Sequence, residues 1–278
     1  MPWALGDLRW TMETVTLTDE AAKEGTEPVA RPRWWLAPAK WWRELLIIGI
    51  GFGLYTFIQH QINVSPAPAV RHANAFLAAE RWLGIDVEAP LNGALAGHPT
   101  LATVANDYYV LLHEVVTPAV ILWLFLRRRA AYPYARFLLA VPTLLGFVLY
   151  YAVPVAPPRL VPGAGIVDTM AVFPGIGDYS SGPMEHTAAQ FAAFPSLHFT
   201  WALWAGAMVF WLVRHWFVRA LAVCYPACTG LVVLATGNHF VLDLAGGAVV
   251  TACGIGLLGL LRPVSETVAL QSAPESSS

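Results

Sequence analysis

Charge is what this sequence has least of. Of its 278 residues, 12% are Asp, Glu, Lys or Arg, about half the roughly 25% of an ordinary soluble domain. With 57% hydrophobic residues, a soluble fold of this size has no core large enough to hide them, and lipid is the solvent the composition calls for. An excess of cations is missing too. The formal charge is −2, which argues against a nucleic-acid partner, since that would need a basic face. Cysteine is scarce: Cys224, Cys228 and Cys253 lie in apolar runs, where Cys serves as a small buried hydrophobe. Neither a disulfide nor a metal site is expected. Residues 1–40 are polar, carry acids and lack a short apolar stretch near the start, so they do not read as a secretory signal.

What is present is apolar and aromatic. Twelve Trp and nine Tyr suit a protein with two membrane–water interfaces to line, and Trp34, Trp35, Trp41 and Trp42 form such a belt ahead of the first span. A transmembrane helix needs about 20 mostly apolar residues. Six runs qualify: 42–60, 103–126, 134–153, 195–213, 217–236 and 239–261. The expected fold class is therefore all-α, a polytopic membrane helix bundle with six transmembrane helices. The chain divides into a polar cytoplasmic segment (1–40), a six-span membrane domain (41–262) and a disordered tail (263–278). Two connections, about 61–102 and 154–194, are rich in Pro and Gly and too long to be simple turns. They must be structured or functional.

The cations set the orientation through the positive-inside rule. Arg31, Arg33, Lys40 and Arg43 precede the first run, Arg127, Arg128, Arg129 and Arg136 lie between the second and third, Arg214 and Arg219 between the fourth and fifth, and Arg262 follows the last. Alternating spans put all of these on one side and only Arg71, Arg81 and Arg159 on the other. The expectation is a multi-pass cell-membrane protein with both termini cytoplasmic and the long connections outside.

Three stretches stand out, and all fall on the outer side: Ala156-Pro157-Pro158-Arg159, Phe194-Pro195-Ser196-Leu197-His198, and Gly237-Asn238-His239 with Asp243 four residues on. Pro195 fits a first helical turn. The free N–H groups of that turn, with the Ser196 hydroxyl, suit an anion, and His198 lies just inside. His239 and Asp243, spaced by four, share a helix face. A carboxylate on one imidazole nitrogen fixes the tautomer and leaves the other free to attack. Arg159 brings a planar fork that matches phosphate oxygens. Each residue has an ordinary reading when taken singly: an interface His, a solvated Asp, an anchoring Arg. Five of them converging on one membrane face favours function, because ionisable groups within spans are functional by default. Asn106, Tyr109 and His113 add a polar stripe on the second run, as substrate contacts or as a helix–helix contact. His186 and Glu185 read as solvated loop residues.

The three stretches resemble the three motifs of the type 2 phosphatidic acid phosphatase superfamily. With Asn106, Tyr109, His113 and the segment Gly84-Ile85-Asp86-Val87-Glu88, the resemblance extends to the branch containing inositol phosphorylceramide synthases and covers about residues 70–261. It implies a lipid phosphatase or lipid head-group phosphotransferase. The implied substrate is a lipid or polyprenyl phosphate, and no cofactor or metal is implied. The resemblance casts His239 as the nucleophile that becomes a phosphohistidine, Asp243 as its orienter, His198 as general acid, and Arg159 and Ser196 as holders of the phosphoryl oxygens. Asn238, Asn106, Tyr109 and His113 are candidates for neutral hydrogen bonds to substrate. The chain departs from the family pattern where Ala152 replaces a Lys, Leu160 a Pro and Val233 an Arg.

Two other classes compete. A membrane haem or quinone electron carrier would use His113, His198 and His239 as axial ligands, but the two strongest His open their spans beside Pro and Asn. A lipid transporter would line a path with the polar residues of the second run, but no Gly/Pro-broken spans sit at matching positions of two halves.

Overall fold

The computed structural model describes residues 40–61, 66–176 and 191–261. The expected cytoplasmic segment and tail, Trp34, Trp35, Arg31, Arg33, Arg262, Glu185 and His186 lie outside the described residues. The described chain is helical: α1 (Trp41–Gln61), α2 (Pro66–Leu83), α3 (Glu88–Ala96), α4 (Pro99–Arg127), α5 (Tyr132–Ala152), the four-residue α6 (Thr169–Val172), α7 (Leu197–Leu212), α8 (Trp216–Ala235) and α9 (Val241–Leu261). A single 3₁₀ turn, Pro158–Leu160, follows α5.

Helices α4, α5, α8 and α9 are long and apolar enough to cross a membrane. Their outward faces keep Leu, Val and Phe exposed, as expected where lipid covers them. Helix α7 is apolar but has only 16 residues, about 24 Å at 1.5 Å per residue. It packs against α4, α5, α8 and α9, so protein surrounds it.

Three local expectations are corrected. Helix α7 begins at Leu197, with Ser196 as its N-cap, so Pro195 precedes the cap and is not in the first turn. Helix α9 begins at Val241, so His239 stands in the loop before it and only Asp243 is helical. The connection at 61–102, expected to be structured or functional, holds two helices, α2 and α3. The three cysteines are exposed rather than buried. They sit on outward faces of α8 and α9, where a small apolar side chain meets lipid.

The two ends of the bundle differ in chemistry. At one end Arg128 donates to the Leu212 carbonyl (3.1 Å), a cation on the negative end of α7. Arg136 pairs with the buried Glu44, which also accepts from Tyr132 Oη at 2.8 Å. At the other end, Ala69, Ala73 and Leu77 of α2 form an apolar layer with Val155, Ala156, Ala193 and Phe240. That layer is the floor on which the three outstanding sequence stretches meet.

Candidate active site

The turn carrying the third stretch is built on Gly237. Its φ is +71°, and a Cβ there would meet Ile166 at 2.7 Å and Arg159 at 3.3 Å, so only glycine fits. The Gly237 carbonyl accepts from Arg159 N at 3.0 Å, which joins the first stretch to the third. The second stretch is joined through Gly247 on α9, where a Cβ would sit 2.9 Å from the Ser196 carbonyl oxygen. Backbone pairing of Val155 with Phe191 and Ala193 fixes the strand-like segment leading into α7.

His239 is buried, 3% exposed. Its Nδ1 lies 3.0 Å from the Ala193 carbonyl and 3.3 Å from Asp243 Oδ2. A carbonyl can only accept, so Nδ1 carries the proton and Nε2 holds the lone pair. Nε2 is buried and has no partner among the described residues. An orphaned buried acceptor costs about 1–3 kcal/mol, and such a group in a native fold calls for an explanation. Asp243 Oδ2 also accepts from Phe240 N at 2.8 Å, so the carboxylate is held from two sides.

The His198 ring lies 5.7 Å from that of His239, centroid to centroid. Tyr109 stacks on His198 at 4.3 Å and His113 meets its edge at 4.3 Å. His113 is itself fixed by the Tyr109 carbonyl (3.1 Å) and by Glu114 (3.1 Å). The structure therefore brings together His239, Asp243, His198, Tyr109 and His113. Ser196 is fully buried, and its Oγ accepts from Phe199 N at 3.3 Å, the N-cap bond that Ser favours.

Arg159 donates from Nε to Asn238 Oδ1 and from Nη1 to Asp168 Oδ2, both at 2.9 Å. Its guanidinium is thus aimed by two partners, and Asn238 is itself tied to Thr236 at 2.8 Å. Asn106 is the exception among the expected site residues. Its amide donates to the Thr169 and Phe173 carbonyls (2.8 and 2.9 Å) and accepts from Thr169 Oγ1 (3.0 Å). Those bonds occupy both amide ends, so Asn106 holds α6 against α4 and the substrate contact expected of it is not carried forward.

Sequence reasoning gave no role to three acids. Asp168 is the ion-pair partner of Arg159. Glu80 and Glu88 are 0% and 1% exposed and accept from Leu242 N (2.7 Å) and Val241 N (2.8 Å). Burial, offset in part by the Leu242 N–H, and then the charges of Glu88 and Asp243 push the Glu80 carboxyl up to about 8. The available signal was an acidic residue on the otherwise apolar face of α2, which buries Ala69, Ala73, Leu77 and Glu80 at helical spacing.

A family model described as PAP2 superfamily matches residues 74–257, a stretch that contains every residue of this site. No curated protein and no solved structure matches the chain.

Proposed function

The chain belongs to the PAP2 superfamily, and from that premise we propose that it is an integral membrane lipid phosphatase or lipid head-group phosphotransferase acting through a phosphohistidine at His239. The observation that carries this reading is the His239 side chain, whose Nδ1–H is held by Ala193 and Asp243 while Nε2 has no described partner. In the proposed reaction Nε2 attacks phosphorus. The P–N bond forms as the P–O bond to the lipid alcohol breaks, and His198 gives a proton to the departing oxygen. Water or a hydroxyl acceptor then yields its proton to His198 and attacks phosphorus, and the new P–O bond forms as the P–N bond breaks and frees His239. Arg159, the Ser196 hydroxyl, Tyr109 and His113 bind phosphoryl oxygens or the head group.

A substrate of low charge fits best. The Arg159 charge is shared with Asp168, and Ala152 and Val233 stand where the family carries cations. A phosphodiester or lipid-linked head group needs fewer cations than a monoester, which favours the transferase branch. Six spans complete the bundle if α1 and α7 cross with the four long apolar helices. The opposite ends of the bundle support a site on the extracytoplasmic face: the arginines cluster by Leu212 at one end of α7, and the histidines lie at the other.

The test is turnover by the purified full chain on radiolabelled phosphatidic acid, polyprenyl phosphate and phosphodiester head-group donors, with and without alcohol acceptors. Release or transfer of label by the wild type, and none by His239→Ala, is the expected result. Equal turnover by His239→Ala, or no turnover of any phosphate ester, would overturn the reading.

A further inference from the structure

The first turn of α9 carries three successive backbone N–H groups with no helical partner, the usual state of a helix N-terminus. Each meets a different carboxylate: Phe240 N meets Asp243, Val241 N meets Glu88, and Leu242 N meets Glu80. The two glutamates come from α2 and α3, more than 150 residues away in sequence. Each uses Oε1 for the helix, while Oε2 is buried with no partner among the described residues. The two carboxyl groups thus sit on successive N–H groups at one helix start, both buried. Two ionised carboxylates cannot share so small a dry space, whereas one proton between them makes a bond and leaves a single negative charge.

We propose that Glu80 and Glu88 form a proton-sharing carboxyl pair that positions the His239–Asp243 dyad and keeps one negative charge behind the imidazole. The proposal rests on His239 being the nucleophile. Neither glutamate touches substrate; both act through the first turn of α9, whose Asp243 meets His239. The titratable groups that bear on Glu80 are Glu88 on α3 and Asp243 on α9, and His239 joins them through Asp243. Among the described residues no cation is paired with either glutamate. The charge favours the imidazolium that the attack generates.

Two measurements on the full chain in detergent test this. The first is the pH profile of kcat/KM for the wild type and the double variant Glu80→Gln/Glu88→Gln. Glutamine keeps an acceptor for each α9 N–H; a single substitution leaves the charge on the remaining carboxylate, whereas the double one removes it. The double variant should lose kcat on the order of tenfold, as when a supporting hydrogen-bond partner is altered, with KM unchanged and the acidic limb moved to lower pH. A purely structural role would lower kcat and leave that limb in place, which would overturn the proposal. The second is the infrared carboxyl band of the wild type, which needs no variant to fold. A protonated-carboxyl band at pH 7 that disappears on raising the pH, and that Glu80→Gln lacks, supports the shared proton. A wild type without the band at pH 7 overturns it. Wild-type turnover through His239 with unmoved limbs would sink the pair and leave the proposed function standing. A wild type inactive on every phosphate ester would sink the function, and the infrared result would still decide the shared proton.

Discussion

The two histidines differ in what each touches, and that difference can be measured. His239 presents an unpartnered Nε2, whereas His198 is flanked by Tyr109 and His113. A general acid is worth about 10²–10⁴ in rate, and it matters most when the leaving oxygen is strongly basic. His198→Ala should therefore lose far more activity on a lipid ester than on an aryl phosphate, whereas His239→Ala should lose both. Aryl-phosphate turnover that survives in His239→Ala but not in His198→Ala would reverse the roles. Arg159 is aimed by Asn238 and Asp168 through two of its nitrogens. Arg159→Lys keeps the charge but cannot keep both bonds. It should cost on the order of 10² in kcat/KM, as loss of one oriented donor does, with the protein still folded; near-normal turnover would place the phosphate elsewhere. Glu80 gives a pH signature in stability. Its carboxyl moves from the ordinary 4.5 up to about 8 on folding, so between those values the folded chain binds more proton than the unfolded one. Stability therefore falls as pH rises through that window and levels off above it. Glu80→Gln should flatten that slope, as melting temperatures in detergent on either side of the window would report. An unchanged slope would mean that Glu80 takes up its proton elsewhere in the range.

At the scale of elements, much was legible in the sequence and some was not. The long apolar runs marked α4, α5, α8 and α9 to within a few residues, because lipid imposes a length and a composition that local sequence carries by itself. The start of α7 was misread because Pro195 suits a first helical turn, yet Ser196 caps better and took that place. Helices α2 and α3 were hidden in a Pro/Gly-rich connection. Their role depends on Glu80 and Glu88 reaching Leu242 and Val241, contacts that no local pattern encodes. Asn106 stayed open between two readings for the same reason, since its partners Thr169 and Phe173 lie over 60 residues away. Asn106→Leu should act on stability by about 1–3 kcal/mol, the cost of leaving buried polar groups unsatisfied. Its melting temperature should drop, while turnover per folded molecule stays close to wild type. Lost turnover at an unchanged melting temperature would restore the substrate contact.

Across the whole molecule, one end is held by arginines and the other by histidines and carboxylates, with the short α7 between them. Four helices are long and apolar enough to cross a membrane, and the chain belongs to the PAP2 superfamily, the premise of the proposed phosphoryl chemistry. The account joins these in one claim, that the buried His239 accepts a phosphoryl group on Nε2. The direct test is to trap it. Purified protein is mixed briefly with a ³²P-labelled lipid phosphate ester, quenched in alkali and digested. The account predicts an alkali-stable, acid-labile label on the peptide containing His239, absent from His239→Ala and longer-lived when acceptor is withheld. Steady turnover with no labelled enzyme at any time, or a label on another residue, would contradict it.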